Sequence, residues 1–253
     1  MTVDIILACY NGEKFIGEQI QSILNQTFQE FTLYIRDDNS TDKTVEIINS
    51  FNDSRIKIIT DDINCGSAGK NFAQLISITT ADIVFFSDQD DVWLPEKIQE
   101  TLIFMANKLV PCIAYVNGYV VDQELNKSKY TVYDNNGCDT RIPNLFFLNG
   151  GIQGCALAFN RKLINKISDL SKIDWYMHDQ VITFYASLYG EVIFINKPLF
   201  LYRQHLNNVV GYKNDSYLDS LISIRKKIKS NALLHSASLR SIKSIYELEK
   251  SNL

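Results

Sequence analysis

Over residues 1–91, apolar runs of strand length alternate with stretches of helical period. "VDIILACY" is the first run, and "EKFIGEQIQSILNQ" after it puts Phe15, Ile16, Ile20, Ile23 and Leu24 on one helical face. "FTLYIRDD" predicts a second strand. "NSTDKTVEIINSF" opens with capping residues from Ser40 to Asp42 and continues with Val45, Ile48 and Phe51 at helical spacing. "RIKIIT" predicts a third strand, "SAGKNFAQLISIT" a third helix and "DIVFFSD" a fourth strand. Strands separated by such helices predict βαβ units and a parallel sheet. The strands are apolar on both faces, as a sheet covered on both sides requires.

After Pro95, which suits a first helical turn, Ile98, Leu102, Met105 and Leu109 predict another amphipathic helix. The pattern then changes. "CIAYVNGYVVD" reads as a strand, "YDNNGCD" as a polar loop, "GCALAFN" as a strand and "HDQVITFYASLYG" as a helix. "VIFINKPLFLYRQH" reads as a strand pair, so this half is expected to be mixed rather than parallel. From about Asp215 the chain has no Gly or Pro and predicts one or two helices. Arg225, Lys226, Lys227, Lys229, Arg240 and Lys243 make this tail basic. It reads as a solvated face, a surface for anionic membrane or an oligomerisation helix pair. The expected division is 1–91 and 92–214 as two halves of one domain, with 215–253 as an extension.

Composition narrows the classes. Of 253 residues, 46% are hydrophobic and 21% charged, an ordinary globular balance. A net charge of −4 argues against nucleic acid as a partner. No apolar run reaches the roughly 18 residues of a membrane span. The N-terminus reads as a first strand rather than a signal peptide. Five scattered cysteines without a CxxC spacing predict free thiols and a cytoplasmic protein. Three dispersed histidines do not make a zinc site.

In open α/β sheets, ligands bind outside the carboxyl ends of the strands. The residues there are Ala8–Asn11, Arg36–Asn39, Thr60–Asn64 and Ser87–Asp91. Adjacent carboxylates stand among them, as at Asp37–Asp38 and Asp90–Asp91. Converging aspartates repel unless a cation neutralises them, and Mg²⁺ or Mn²⁺ shares its shell with substrate phosphates. No GxGxxG follows the first strand, so a dinucleotide site is not expected. "GSAGKN" imitates a P-loop only in outline, because Asn71 stands where Ser or Thr would hold Mg²⁺.

These stretches carry a resemblance. "ILACYNGEKFIGEQIQSILNQTF" followed by "YIRDDNSTDKTVEII" resembles the nucleotide-binding half of family 2 glycosyltransferases of the GT-A fold. "FSDQDD" stands where that family carries its Asp-x-Asp metal motif. "MHDQ" and "PLFLYRQHLNNVVG" are similar to bacterial rhamnosyltransferase-like members. The resemblance covers roughly residues 1–212. It implies a Rossmann-like nucleotide-binding half and a mixed-sheet acceptor half, to which the helical stretch from about Asp215 is an extension.

It also implies roles. Ala8, Tyr10 and Asn11 would meet the nucleotide, and Asp38 would accept the N3–H of uracil or thymine. Asp90 would bind Mn²⁺ or Mg²⁺, with Asp88 and Gln89 beside the donor and Asp91 structural. Asn71, with Lys70, would touch the donor, and Trp93 would pack. Gly150, Gly151, Gln153 and Gly154 would let the sugar or diphosphate approach, or simply form a turn. Asp179 would be the general base, with His178 as its rival. His205 would be a metal ligand or a diphosphate contact, and Arg203 an alternative diphosphate contact.

The expected activity is inverting, metal-dependent transfer of L-rhamnose from dTDP-rhamnose to a saccharide, lipid-linked in bacterial surface polysaccharide synthesis. UDP-hexose or UDP-N-acetylhexosamine is the alternative donor. A nucleotidyltransferase and a non-catalytic nucleotide-binding protein are the alternatives of another class. A homodimer and peripheral contact with the inner face of the plasma membrane through 215–253 are compatible with this reading.

Overall fold

The computed structural model describes residues 1–61, 63–137, 152–205, 208 and 239–250. Four strands form the parallel part of one sheet: β1 (Val3–Cys9), β2 (Phe31–Asp37), β3 (Ile56–Ile59) and β4 (Ile83–Ser87), in the order β3-β2-β1-β4. Helices α1 (Ile16–Leu24), α2 (Thr44–Asn49) and α3 (Ala68–Ile78) make the crossovers. All seven residues of β1 are buried, so both faces of the sheet's centre are covered. Even Asp4 is inside; its Oδ2 accepts the Thr80 and Ala81 N–H groups, both at 3.2 Å. On α1 the predicted face is largely the buried one, and Gln19 joins it by donating to Ser87 Oγ at 2.7 Å.

The rest of the sheet is mixed. β5 (Val92–Trp93) leads to α4 (Lys97–Met105), β6 (Cys112–Val121), β7 (Lys127–Thr131) and α5 (Val132–Asn136). After a 3-10 turn over Gly154–Ala156 come β8 (Leu157–Asn160), α6 (Arg161–Ile164), α7 (His178–Tyr189) and β9 (Glu191–Arg203). The sheet runs β3-β2-β1-β4-β8-β6-β9-β5, with β7 on β6. β8 is antiparallel to both β4 and β6, and β9 is parallel to β6. The carboxyl ends of β4 and β9 therefore emerge on the same edge.

Three local expectations change. The predicted strand pair over 192–205 is one strand, β9, whose register against β6 slips between Val116↔Ile195 and Asn117↔Pro198. Pro198 has no N–H to give the ladder, and the slip accommodates it. Helix α4 ends at Met105, which leaves Leu109 85% exposed instead of on the buried face. Ser40 does not cap α2; it bonds Asp37, while Asp42 Oδ1 accepts the Thr44 N–H at 3.0 Å.

Four cysteines, Cys9, Cys65, Cys112 and Cys155, are free thiols, and Cys138 lies outside the described residues. So do Arg225, Lys226, Lys227 and Lys229 of the basic extension, and Gly150 and Gly151. Its last part, 239–250, is helical, with Ser241, Ile245 and Leu248 buried on one face. Among the described residues no helix is long and apolar enough to cross a membrane.

Asn160 ties three elements together. Its Oδ1 accepts the N–H groups of Cys112 (3.0 Å) and Leu163 (3.1 Å), and its Nδ2 donates to Val110 O (2.8 Å). Asn160→Ala leaves buried backbone groups unpaired and should lower unfolding stability by about 1–3 kcal/mol in a denaturant titration.

Candidate active site

The strand register assembles the site. Leu7 pairs with Ser87, Ala8 with Arg36 and Cys9 with Asp37, so the loops after β1, β2 and β4 begin side by side. Val121 pairs with Arg203 at the end of β9, which brings His205 to the same edge. β5 returns antiparallel along β9 and faces the Asp90–Asp91 turn toward Arg203.

On the β2 side, a buried guanidinium organises the loops. Arg36 is 1% exposed. Its Nε and Nη2 meet both oxygens of Asp61 at 2.9 and 2.6 Å, and Nη2 also donates to Ile63 O at 2.6 Å. Nη1 donates to Asn71 Oδ1 at 2.8 Å and Asp38 Oδ1 at 3.3 Å. Hydrogen bonding to Asp61 raises the Arg36 pKa, and the same bond holds Asp61 below the usual carboxylate range. Asp38 further accepts the N–H groups of Cys65 (2.7 Å) and Gly66 (2.9 Å). Asp37 is occupied by Ser40, whose N–H lies 2.7 Å away. Within the protein, therefore, Arg36 pairs with Asp38 and Ser40 hydrogen-bonds Asp37, so both carboxylates have partners apart from any cation.

Several predicted contact residues are engaged in holding this frame. Asn71 is buried, and its Nδ2 reaches Cys9 O and Arg36 O at 3.4 Å. Gln89 accepts the Tyr10 N–H at 2.9 Å and donates back to Tyr10 O at 3.1 Å, so one amide fixes the loop after β1. Asn11, at φ 47°, takes its N–H to Ser40 Oγ (2.7 Å) and its Oδ1 to the Thr41 N–H (2.8 Å). Arg203 is 2% exposed and donates to Asp90 O at 2.8 Å, to Gln123 O and to Glu18. The Tyr10 side chain remains exposed beside nearly buried Ala8.

Carboxylates crowd the centre. Asp88 lies within electrostatic reach of Asp90, Asp91 and Asp179; burial and then these neighbours push its pKa well above the usual range. Its residue keeps a partly exposed surface, so water screens part of that effect. Asp90 Oδ2 meets His205 Nε2 at 2.8 Å, and the His205 ring leans on Phe15 at 5.0 Å. Asp91 is fully buried, with Oδ1 accepting the Arg203 N–H at 3.2 Å; burial and Asp90 push it up to about 7. Beneath it, buried Lys97 donates to Cys155 O at 2.5 Å and sits 3.8 Å over the Trp93 ring. Burial lowers the Lys97 pKa to about 8.

Two groups of donors could hold a cation. Asp88 and Asp90 with His205 offer hard oxygens and an imidazole, and the mutual repulsion of the carboxylates there is what a divalent ion relieves. The ligand atoms of Asp88, Asp91 and Cys155 also lie within 4.8 Å of one another. That deeper group already has the Lys97 charge beside it, and its thiol is a soft donor that burial keeps protonated. By donor type Asp88, Asp90 and His205 suit Mn²⁺ or Mg²⁺ better, whereas Asp88, Asp91 and Cys155 are the group whose ligand atoms lie within 4.8 Å of one another among the described residues.

The adjacent residues His178 and Asp179 have different surroundings. The His178 ring lies 3.9 Å from Phe72 and 4.5 Å from Phe86, and burial lowers its pKa to about 3. A Cβ on Gly154 would meet His178 Nε2 at 2.2 Å, so this glycine is there to admit the ring. His178 faces the core as a neutral wedge. Asp179, in the first turn of α7, is the one turned toward the aspartate cluster, where it acts electrostatically on Asp88. Gly154 therefore supports α7, and no donor contact need be invoked for it.

The family profile described as Glycosyl transferase family 2 matches residues 4–168. The chain belongs to that family. This glycosyltransferase is 29% identical over 226 residues to the dTDP-rhamnosyl transferase RfbG of Shigella flexneri, covering 81% of this chain and 73% of the relative. It is 34% identical over 151 residues to WfaP of Escherichia coli, named as a UDP-Glc:alpha-D-GlcNAc-diphosphoundecaprenol beta-1,3-glucosyltransferase. That match covers 55% of this chain and 59% of WfaP. Among solved structures, S. aureus TarS 1-349 in complex with UDP-GlcNAc superposes with a TM-score of 0.63 at 20% identity, over 82% of this chain and 60% of that one. The mannosyltransferase PcManGT from Pyrobaculum calidifontis, in complex with GDP-Man and Mn²⁺, gives 0.57 at 16%, over 81% and 58%. The fold is thus that of the GT-A glycosyltransferases. The chain spans less than two thirds of WfaP and of both structures.

Two central residues of the glycosyltransferase site escaped the sequence reading. In the sequence Arg36 stands at a strand end with no role assigned, and Lys97 is not singled out. The signal for Lys97 was its register, four residues before buried Thr101 and next to buried Ile98. Two cavities, of about 240 and 520 Å³, open at the opposite edge around Met1 and Asp82 and around Asp4, Phe31 and Arg55; neither includes a residue of the carboxylate cluster.

The raised carboxyls have a consequence for stability. Between about pH 4, where an unfolded aspartate titrates, and the value near 7 at Asp91, the folded state holds protons that the unfolded state has released. Stability should therefore fall as pH rises through that window. Denaturant midpoints of the metal-free protein should show this slope, and Asp91→Asn should flatten it.

Proposed function

We propose that this glycosyltransferase moves L-rhamnose from dTDP-L-rhamnose to a saccharide acceptor, with inversion at the anomeric carbon, as is general for its family. One observation carries the transfer chemistry: Asp179 and the His205-bonded Asp90 both lie within electrostatic reach of Asp88. In this reading Asp179 takes a proton while Asp90 and His205 steady a diphosphate.

Asp179 accepts the proton of the acceptor hydroxyl as that oxygen attacks the anomeric carbon. The new glycosidic bond forms on one face. The bond from the anomeric carbon to the diphosphate oxygen breaks on the other, and the nucleoside diphosphate leaves with the electron pair. Asp88, Asp90 and His205 would hold Mn²⁺ or Mg²⁺, whose contribution is Lewis-acid neutralisation of that leaving group. Tyr10, Asn11 and Ala8 border the nucleotide, and Asp38 offers an acceptor to the N3–H of thymine or uracil. Gln89, Asn71 and Arg203 serve by keeping these loops in place.

The donor sugar rests on the Shigella flexneri relative, which matches across four fifths of this chain. A second reading, UDP-glucose transfer, is favoured by the higher identity of WfaP over a shorter stretch. The name of WfaP also supports a lipid-linked acceptor. The reading is of a cytoplasmic enzyme of surface polysaccharide assembly at the inner face of the membrane, supported by the lipid-linked acceptor in the name of WfaP, with the extension 215–253 as the peripheral contact and a homodimer compatible with it.

Incubation with dTDP-rhamnose, UDP-glucose and UDP-N-acetylglucosamine in turn, with Mn²⁺, should release nucleoside diphosphate from the first. Release from UDP-glucose instead moves the reading to the second donor, and pyrophosphate release from a nucleoside triphosphate given a sugar 1-phosphate, with no nucleoside diphosphate released from any nucleotide sugar, would overturn both. Asp179→Asn should cut kcat by about 10²–10⁴-fold with donor affinity retained. Mn²⁺ should raise the melting temperature of the wild type, and a thermal scan should show that rise largely lost in Asp90→Asn.

A further inference from the structure

We propose that the helix over 239–250 is a positioning clamp for Asp179, acting through Ser241, Ser244 and Glu249; this rests on the reading of Asp179 as the base. Among the described residues, the segment that leads into α7 has little backbone support of its own. After the short 3-10 turn Leu170–Lys172, its internal backbone bonds are Ile173 N–H to Leu170 O at 3.4 Å and Tyr176 N–H to Asp174 O at 2.9 Å. The C-terminal helix supplies what is missing. Ser244 Oγ accepts the Asp174 N–H at 2.9 Å, and Ser241 Oγ donates to Asp174 O. Two serines one helical turn apart thus hold both backbone groups of one residue, five positions before Asp179. Ser241 is 1% exposed, while Ser244 and Asp174 are half-buried.

The same helix grips the body of α7. Glu249 accepts from Tyr185 OH at 3.1 Å through Oε1 and from Tyr189 OH through Oε2. Tyr185 and Tyr189 are four residues apart on one face, so a single carboxylate fixes both the rotation and the axial position of the helix. Ile245 and Leu248, 2% and 4% exposed, fill the space between these two polar contacts. Arg240 adds an exposed pairing to Asp174 at 3.3 Å, of little energetic weight.

The segment is held from its other side as well. A Cβ on Gly69 of α3 would lie 2.2 Å from Trp175 O and 2.5 Å from Tyr176 O. Only glycine lets α3 come this close. Residues 174–176 therefore lie between a helix of the nucleotide-binding half and the C-terminal helix. Asp179 is placed by two elements that sequence distance separates by about 170 residues. A base must sit within hydrogen-bond reach of its proton, and an error near 1 Å costs up to about 10²-fold in rate. The chemical requirement and the double grip match.

The test uses the full chain, with Ser241→Ala/Ser244→Ala and, as a milder variant, Glu249→Gln. Rates are measured with the nucleotide sugar that the wild type turns over, nucleoside diphosphate affinity by calorimetry, and local opening by amide hydrogen exchange over 174–181. The clamp predicts faster exchange there, kcat lowered by about 10-fold or more and nucleotide affinity within about two-fold of wild type. Unchanged kcat despite faster exchange overturns it, because the helix would then be a cover only. Loss of kcat and nucleotide affinity together in both variants overturns it as well, because the effect would be general destabilisation. Asp179→Asn, measured in parallel, separates this inference from the one beneath it. Clamp variants at wild-type kcat beside an inactive Asp179→Asn sink the clamp alone, whereas an active Asp179→Asn removes the base reading and the clamp's catalytic role with it.

Discussion

Like charges brought together at the carboxyl edge of one sheet govern this structure. Asp88, Asp90, Asp91 and Asp179 lie close enough for each to act on Asp88. Isolated in a buried setting, such a group would drive the loops apart or take up protons. It is held by a set of fixed counterparts: the Arg203 backbone N–H on Asp91, the His205 ring on Asp90 and the Lys97 ammonium below.

The two sides of the edge solve the charge problem differently. Beside β2, Arg36 balances Asp38 and Asp61 and fastens Asn71, so the pocket wall is self-contained. Beside β4, the charges are balanced only in part, and the unbalanced part is where the diphosphate chemistry is assigned. Stiff walls with a charged floor suit a site whose ligand brings both metal and phosphate. The backbone of Tyr10, pinned by Gln89, lies where the two regimes meet.

The second half of the chain exists to bring distant groups to that edge. β9 runs parallel to β6 and so delivers Arg203 and His205 beside Asp90, more than a hundred residues away in sequence. α7 carries two adjacent polar residues to opposite fates: His178 into an aromatic slot against Gly154, Asp179 toward the carboxylates. Successive residues on a helix point about 100° apart, so if one packs in the core its neighbour is free to face the site.

Much of this was legible in the chain itself. Periodicity determined the βαβ elements, the amphipathic face of α1 and the helix after Met177, because local apolar spacing reports burial directly. Strand-end position picked out Asp38, Asp88, Asp90 and, with the family resemblance, Asp179 and His205. Sequence could not say which polar side chains would spend their hydrogen bonds on the protein itself. Gln89, Asn71 and Arg203 are engaged with backbone or with one another, and Arg36 and Lys97 supply charge from buried positions. Those assignments depend on pairings between segments far apart in the chain, on the parallel register of β6 with β9 and on the docking of 239–250 against α7. A residue's type and spacing state what chemistry it can do; only the neighbours that the fold places around it decide whether that chemistry is free for a substrate or used to hold the fold.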